Sequence, residues 1–250
     1  MSAPAEPEVV VHGNARELAG SVAERLVQKL VDLQADGGVP SLVLTGGTIA
    51  NEIYREVLEM PGRDSVDWSR VDFWYGDERF VPAADSDRNA LQSREAFLSA
   101  LPVDPARVHE MPPSDGEYGE DVDAAARAYA EEVSGALGVD GRFDVLLLGV
   151  GPDGHCASLF PGHDEVHAGG LAVGVRNSPK PPPERISLTM EVLLRAQEVW
   201  FVVSGDGKAK AVHDALGGTD VHAVPAAGPR GHRRTLWLVD SDAASLLPRS

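Results

Sequence analysis

The chain has 250 residues, a mass of 26.5 kDa and 43% hydrophobic residues, which is enough material for the core of one large globular domain. Its 22 basic and 39 acidic residues give a formal net charge of −17, which argues against nucleic acids and anionic membrane surfaces as partners. A single cysteine, Cys156, excludes an internal disulfide and any metal site built from several thiolates.

Short apolar runs alternate with amphipathic segments along the chain. The predicted strands are Val9–Val11, Ser41–Leu44, Val71–Tyr75, Phe143–Leu148, Leu171–Val175, Val199–Val203 and Thr235–Val239. The predicted helices are Ala15–Gln34, Asn51–Leu58, Asn89–Leu101, Tyr118–Leu137 and Gly207–Leu216. Several strands are apolar at nearly every position, which is typical of a parallel sheet with helices on both faces. The alternation predicts an α/β fold, and we expect a single domain over residues 1–250.

The first candidate motif is Thr45-Gly46-Gly47-Thr48, which lies between a predicted strand and a predicted helix. Ligands of open parallel sheets bind at the carboxyl ends of the strands, so polar residues at these positions are the candidates for a site. A glycine turn before a helix presents free backbone N–H groups to an anion. The alternative is a tight turn that needs glycine for its backbone angles and binds nothing.

The second candidate motif is Asp77-Glu78-Arg79, which follows the strand Val71–Tyr75. Neighbouring side chains of an extended segment point in opposite directions, so Asp77 and Glu78 cannot both face one site. Arg79 can pair with either carboxylate or bind a substrate anion with two hydrogen bonds, whereas a plain surface salt bridge is the alternative. Asn89 is predicted to cap the helix that begins there.

The third motif, residues 149–162, begins with glycines in the G-x-G-x-x-G pattern of dinucleotide-binding proteins. Pro161 leaves too little room for the helix of that pattern, and the acidic residue that binds the ribose is missing, which disfavours a nicotinamide oxidoreductase. Asp153, two residues before His155, suits a general base oriented by a carboxylate. The alternative for a single histidine is a loop residue bonded to the backbone.

Three other kinds of site are disfavoured. Cys156 follows His155 directly, and sequence neighbours seldom point at each other, so a thiol nucleophile is not expected. The G-x-S-x-G pattern of serine hydrolases is absent from the sequence. His163 and His167 have helical spacing, but their glutamate is misplaced for H-E-x-x-H and glycines flank the segment, so we expect no metal.

The lysines are scarce and unevenly placed, since three of the four lie within residues 180–210, together with Arg185. Lys180 and Arg185 flank a proline run that stiffens their loop. Lys208 follows a strand end in a Gly-Lys dipeptide, which is not a P-loop because Val202 stands where the first glycine belongs. This clustering is explained either by an anion site or by chance in an acidic, soluble protein.

No signal peptide is visible in residues 1–13. The longest aliphatic run, Val145–Leu148, is far shorter than the about 20 residues of a membrane span. We therefore expect a cytoplasmic protein.

Taken together and in this order, the motifs resemble those of the 6-phosphogluconolactonase family over about residues 9–240. The resemblance rests on Thr45–Thr48, Gly76–Arg79, Gly149–Gly162, Ser178–Arg185 and Gly205–Lys208. The first loop departs from the family pattern, because Thr45 replaces the usual serine and Ile49-Ala50 replaces the usual Thr-Pro. The backbone donors survive these changes, so the departure concerns only the side chains of that loop.

The resemblance implies a three-layer α/β/α sandwich with a mostly parallel Rossmann-like sheet, similar to the fold of glucosamine-6-phosphate deaminase. It also implies hydrolysis of 6-phospho-D-glucono-1,5-lactone to 6-phosphogluconate in the oxidative pentose phosphate pathway. The expected partner is thus a phosphorylated sugar lactone, with no nucleic acid, membrane, metal or cofactor, and we expect a monomer.

The resemblance and the chemistry of lactones together give the expected site. His155 is expected to act as general base, with Asp153 or Asp77 orienting it. The phosphate and the developing oxyanion would be bound, in a division left open, by Gly46, Gly47, Thr48, Arg79, Lys180, Arg185 and Lys208.

Two other functions on the same fold remain as alternatives. A sugar-phosphate deaminase is disfavoured because no carboxylate lies between Cys156 and His163, and because Arg79 stands where the deaminases have tyrosine. A non-catalytic sugar-phosphate sensor is disfavoured by His155 and by the lack of an appended DNA-binding segment or basic tail.

Overall fold

The computed structural model describes residues 6–138 and 141–248. The strands are β1 (Pro7–His12), β2 (Ser41–Leu44), β3 (Asp72–Tyr75), β4 (Asp77–Arg79), β5 (Val145–Leu148), β6 (Ala172–Val175), β7 (Arg185–Leu188), β8 (Glu198–Val203) and β9 (Arg234–Asp240). The helices are α1 (Ala15–Gln34), α2 (Thr48–Glu59), α3 (Asn89–Ala96), α4 (Val122–Leu137), α5 (Met190–Leu193) and α6 (Ala209–Leu216). None of these helices is both long and apolar enough to cross a membrane.

Six strands form a parallel sheet in the order β1-β9-β8-β5-β2-β3. Every residue of β5 and β8 is buried, as expected for strands covered on both faces. Crossovers between parallel strands are right-handed, so α1 and α2 lie on one face and α4 and α6 on the other. This arrangement confirms the predicted fold class, an α/β sandwich around a mostly parallel sheet.

The order of the strands reverses direction between β2 and β5. These two strands are neighbours, with Leu42 opposite Val145 and Val43 opposite Leu146. From β2 the chain continues outward to β3, whereas from β5 it continues to β8 on the other side. A crevice opens at such a switch point, at the carboxyl ends of the strands. The loops that follow β2 and β5 carry the first and third candidate motifs.

A second sheet, antiparallel and ordered β4-β7-β6, was not predicted as such. The predicted strand Leu171–Val175 exists as β6, but it belongs to this sheet. The strands β4 and β7 were missed, because they have only three and four residues and bury polar side chains such as Glu78 and Arg185. Such segments lack the apolar pattern by which strands are recognised.

Each predicted helix is present, but most of the helices begin or end at a different residue from the predicted one. α1 has the predicted bounds, and α2 begins three residues earlier than expected, at Thr48, which brings its N-terminus directly to the glycine loop. α4 begins at Val122 because the Asp121 side chain accepts hydrogen bonds from the N–H groups of Asp123 and Ala124. α3 ends at Ala96 and is followed by a 3₁₀ turn.

Candidate active site

A cavity of about 540 Å³ opens at the switch point between β2 and β5. Nine of the predicted site residues line it: Gly46, Gly47, Thr48, Asp77, Arg79, His155, Lys180, Arg185 and Lys208. The tenth, Asp153, contacts the ring of His155. The structure therefore brings the separate sequence motifs together at one edge of the parallel sheet.

His155 and Asp153 form a hydrogen-bonded pair. The Asp153 carboxylate lies 2.5 Å from Nδ1 of His155, and the side chains are 36% and 17% exposed, respectively. Partial burial alone would raise the pKa of Asp153, but the hydrogen bond and charge of His155, together with the charge of Lys180, hold it well below its usual range. Asp153 is thus ionised at neutral pH, and Nε2 of His155 is the ring nitrogen left to exchange a proton.

Gly151 makes room for this pair. The backbone N–H of Gly151 donates to the carbonyl of His155 (2.9 Å), and the N–H of Gly154 donates to the carbonyl of Gly151 (2.9 Å), which closes a tight turn. A Cβ atom at position 151 would overlap the imidazole ring and the Asp153 carboxylate. The histidine and its partner can therefore lie over this turn only because residue 151 has no side chain.

Asp77, the other residue expected to orient His155, has a different hydrogen-bond partner. Its carboxylate accepts a hydrogen bond from the hydroxyl of Ser158 (2.7 Å), a fully buried residue. Asp77 itself is only 7% exposed and borders the cavity. The geometry thus pairs Asp153 with His155 and leaves Asp77 as a fixed carboxylate in the cavity wall.

Glu78 points away from the cavity, as the alternation along an extended segment predicts. Its fully buried carboxylate accepts hydrogen bonds from the N–H groups of Asn89 (2.7 Å) and Ala90 (2.8 Å) at the start of α3. It also lies 3.7 Å from the guanidinium of the buried Arg88. Glu78 is therefore the group that caps α3, so the prediction that the Asn89 side chain does so is wrong.

The Asn89 side chain instead holds Arg79. Its Oδ1 accepts a hydrogen bond from Nη1 of Arg79, and its Nδ2 donates to the carbonyl of Asp77 (2.8 Å). A Cβ atom at Gly46 would overlap Asn89 Oδ1 and crowd Arg79 Nη1. The guanidinium of Arg79 is therefore fixed against the glycine loop by close packing and a hydrogen bond.

The glycine loop itself ends at the N-terminus of α2. Gly47 has a φ of 104°, which favours glycine, and as the N-cap residue it offers no side chain to the first turn of the helix. The buried hydroxyl of Tyr54 donates to the carbonyl of Thr45 (2.8 Å) and accepts a hydrogen bond from the N–H of Thr45 (3.0 Å). These two hydrogen bonds hold the first residue of the loop in place. The N–H groups of this helix end are available to an anion.

Lys180 and Lys208 bring positive charge from two further loops. Nζ of Lys208 donates to the carbonyl of Val150 (2.6 Å), in the loop that leads to His155. Burial and the nearby charge of Lys180 lower the pKa of Lys208. Arg185 is 6% exposed, and its guanidinium donates to backbone carbonyls of the loop that carries Lys180. An anion in the cavity would relieve the repulsion between these cations.

Sequence reasoning missed several residues of the cavity wall, among them Glu52, Phe160 and Ser204. The hydroxyl of Ser204 donates to the carboxylate of Asp240. Ser204 directly follows β8, so it could have been predicted from the tendency of ligands to bind at the carboxyl ends of parallel strands. Glu52 lies on α2 and Phe160 lies with its ring centre 4.7 Å from that of His155. Their positions depend on the packing of loops, and no local pattern marks them.

Cys156 is excluded as a nucleophile. It is fully buried, and burial, with the negative charge of Asp77, raises the pKa of its thiol, so the thiol stays protonated. We expect Cys156→Ala to keep kcat within about twofold of the wild-type value, since a buried, protonated thiol does not take part in the chemistry. Steady-state kinetics would measure this, with iodoacetamide treatment of the native protein as a second test. Loss of turnover in a folded variant would contradict it.

A metal site is likewise not indicated. Within residues 6–138 and 141–248, no group of three or more His, Cys, Asp and Glu side chains is arranged to hold a metal ion. His163 lies 3.8 Å from Glu165, and His167 stacks on His222 with ring centres 5.1 Å apart. The helical spacing of His163 and His167 in the sequence therefore does not produce a shared site.

The chain is similar to known proteins over most of its length. Residues 13–237 match the model of a family described as glucosamine-6-phosphate isomerases/6-phosphogluconolactonase. The chain is 51% identical to a 6-phosphogluconolactonase of Streptomyces coelicolor, over 98% of this chain and 96% of the relative. It is 43% identical to a 6-phosphogluconolactonase of Mycobacterium leprae, over 96% and 98%. The crystal structure of 6-phosphogluconolactonase from Thermotoga maritima superimposes with a TM-score of 0.82 at 26% identity, over 94% of this chain and 99% of that one.

Proposed function

Because the chain belongs to the glucosamine-6-phosphate isomerase/6-phosphogluconolactonase family, we propose that it hydrolyses 6-phospho-D-glucono-1,5-lactone to 6-phosphogluconate, in the oxidative pentose phosphate pathway. The observation that carries the proposal is the His155–Asp153 pair beside a cavity lined by Arg79, Lys180 and Lys208. The reaction requires a base for water, an anchor for the phosphate and fixed donors for the developing oxyanion, and these groups supply the base and the positive charge.

In the first step, Nε2 of His155 removes a proton from a water molecule as the water oxygen attacks C1 of the lactone. The C1–O bond forms, and the carbonyl electrons move to the oxygen, which becomes an oxyanion. Asp153, ionised and bonded to Nδ1, keeps the ring in one orientation and stabilises the imidazolium. Cationic and N–H donors of the cavity stabilise the oxyanion because they are already fixed in place.

In the second step, the oxyanion collapses and the bond between C1 and the ring oxygen breaks. The imidazolium of His155 returns its proton to that oxygen, which becomes the C5 hydroxyl of the product. The histidine is then neutral again, and no covalent intermediate with the protein is formed. A lactone carbonyl is already electrophilic, so this chemistry requires no metal or cofactor.

The phosphate group at C6 serves as the anchor. The candidates to bind it and the oxyanion are Arg79, Lys180, Lys208 and the α2 N-terminus at Gly46, Gly47 and Thr48, all at the cavity. Asn89 supports Arg79, whose guanidinium cannot swing away without breaking the bond to Oδ1. Binding energy from the phosphate is thereby used to place C1 against His155.

Replacing Asp153 tests whether this carboxylate orients His155. We expect Asp153→Asn to lower kcat by roughly 10–100-fold, because the amide neither stabilises the imidazolium nor fixes one tautomer of the ring. KM for the lactone is expected to change little, since Asp153 does not line the cavity. Asp77→Asn is the comparison, and it is expected to lower kcat less, because that carboxylate is bonded to Ser158 instead of His155. Equal kcat for Asp153→Asn and the wild type would contradict the role.

The proposed activity is tested by a coupled assay with freshly generated lactone, measured against spontaneous hydrolysis. Catalysed formation of 6-phosphogluconate is the expected result. Binding of the sugar phosphate without acceleration would favour a sensor, and release of ammonia from glucosamine 6-phosphate would favour a deaminase. We include in the proposal that the enzyme is a monomer and acts in the cytoplasm. Light scattering at assay concentrations would check the oligomeric state.

A further inference from the structure

The loop Ser178–Pro183, between β6 and β7, carries Lys180 to the cavity and is closed by its own hydrogen bonds. The N–H of Ser178 donates to the carbonyl of Pro183 (2.9 Å) across the loop. The hydroxyl of Ser178 donates to the carbonyl of Lys180 (2.9 Å). The loop therefore has a definite shape, but these bonds do not tie it to the rest of the protein.

Arg185 provides that tie. It is the first residue of β7 and lies opposite Arg79 in β4, so its backbone is part of the antiparallel sheet. Its Nε donates to the carbonyl of Pro182 (3.0 Å), and its Nη2 donates to those of Lys180 (3.0 Å) and Pro181 (3.2 Å). One guanidinium thus binds three consecutive carbonyls of the loop.

The chemistry of the guanidinium suits this task better than that of any other side chain. It is planar, stays charged when buried, and presents its N–H donors in a fixed fork, whereas a lysine ammonium is a single point on a flexible stem. Arg185 is 6% exposed, so its donors are largely removed from water and the loop carbonyls replace the lost hydration.

The hydrogen bonds from Arg185 to the loop oppose the repulsion between Lys180 and Lys208. The charge of Lys180 acts on Lys208 across the cavity, and without an anion present the two ammonium groups favour separation. A loop that was free to move would carry Lys180 away from Lys208 and would have to be ordered again by each substrate. Such ordering would weaken binding, because its entropy is lost at that moment.

We infer that Arg185 is a positioning residue that holds Lys180 in the cavity through the backbone of its loop, and that it is not itself a main ligand of the phosphate. The inference rests on the proposed function for the identity of the substrate, but it concerns anion binding in general. It departs from the expectation, based on family resemblance, that Arg185 binds the phosphate or the oxyanion directly.

The test is a double-mutant cycle of Arg185→Lys and Lys180→Ala, read out as kcat and KM for the lactone. Arg185→Lys alone is expected to raise KM by roughly 10-fold with a smaller change in kcat, because Lys180 is no longer prepositioned. In the Lys180→Ala background the same substitution is expected to change KM by less than about twofold. A direct phosphate ligand would give the full 10-fold effect in both backgrounds, which would overturn the inference.

Arg234→Lys is the matched control. Arg234 is likewise the first residue of a strand, β9, and bonds to Glu8 on the protein surface, away from the cavity. Its replacement is expected to leave KM unchanged. If Arg185→Lys fails to fold, Arg185→Gln replaces it in the cycle, since the shorter amide side chain cannot bind all three loop carbonyls. An effect of Arg185→Gln on KM that is lost in the Lys180→Ala background supports the inference, and any other pattern overturns it.

Calorimetric titration with inorganic phosphate separates this inference from the proposed function. The dissociation constant for phosphate is expected to follow the same non-additive pattern as KM. If the wild-type protein binds phosphate but does not hydrolyse the lactone, the proposed function fails. The double-mutant cycle, measured as dissociation constants for phosphate, still decides the role of Arg185. If the wild-type protein does not bind phosphate, the inference fails as well.

Discussion

His155→Ala is expected to lower kcat for lactone hydrolysis by roughly 10²–10⁴-fold, the usual contribution of a general base. The imidazole is the proposed proton acceptor for the attacking water and the donor to the departing ring oxygen, so both steps lose their catalyst. KM is expected to change much less, because the phosphate ligands are untouched. Residual activity above the spontaneous rate would come from phosphate anchoring and the fixed donors of the cavity.

The structure offers a matched control on its surface. His213 on α6 also pairs with a carboxylate, that of Asp214 (3.1 Å), but its side chain is 54% exposed and does not line the cavity. His213→Ala is expected to keep the wild-type kcat. Circular dichroism and thermal unfolding of both variants would verify that they are folded. If the His155→Ala enzyme turned over lactone at the wild-type rate, the assignment of the base would be wrong.

Gly151→Ala is expected to lower kcat by about 100-fold or more, although residue 151 has no role in the chemistry. The added methyl group would occupy the space of the imidazole and of the Asp153 carboxylate. Either the ring or the loop must move, and a displacement of about 1 Å at a catalytic group costs on the order of 10²-fold in rate. The phosphate ligands lie on other loops, so binding of 6-phosphogluconate is expected to weaken far less than kcat falls.

Gly135→Ala provides the comparison for this substitution. Gly135 lies within α4, and an added methyl group there would meet nothing within 4 Å. The change is expected to leave kcat unaltered and to raise the free energy of unfolding by about 0.5–1 kcal/mol, because alanine favours helix. Steady-state kinetics and urea denaturation would measure both effects. Wild-type turnover by Gly151→Ala would show that His155 can act from another position.

The strands of the parallel sheet were predictable because each contains a short, continuous apolar run. Burial on both faces produces that pattern in the inner strands, whereas the edge strand β1 is largely exposed. Nothing comparable marks β4 and β7, in which Asp77, Glu78, Arg185 and Ser187 are buried by polar contacts. Their pairing depends on residues about a hundred positions apart, and the sequence alone gives no measure of that proximity. The antiparallel sheet was therefore found only in three dimensions.

The candidate site was predictable where chemistry follows a strand end. His155, Arg79 and the glycine loop all lie at such positions. The choice of Asp153 as the partner of His155 was not, because it depends on the turn that Gly151 permits and on the hydroxyl of Ser158, which engages Asp77. These are distances between side chains, and the order of residues along the chain does not determine them.

The pairing of β4 with β7 also limits which changes in chain length the protein tolerates. Asp77 and Arg79 face the cavity while Glu78 faces the start of α3, and the cross-strand partners Ser187 and Arg185 hold this register. Deleting or inserting one residue in β4 would turn the side chains of the strand to the opposite face. Glu78 would then face the cavity, and the charge of Arg79 would be buried on the side of α3. The three residues of β4 must therefore keep their number for the cavity to keep its charges.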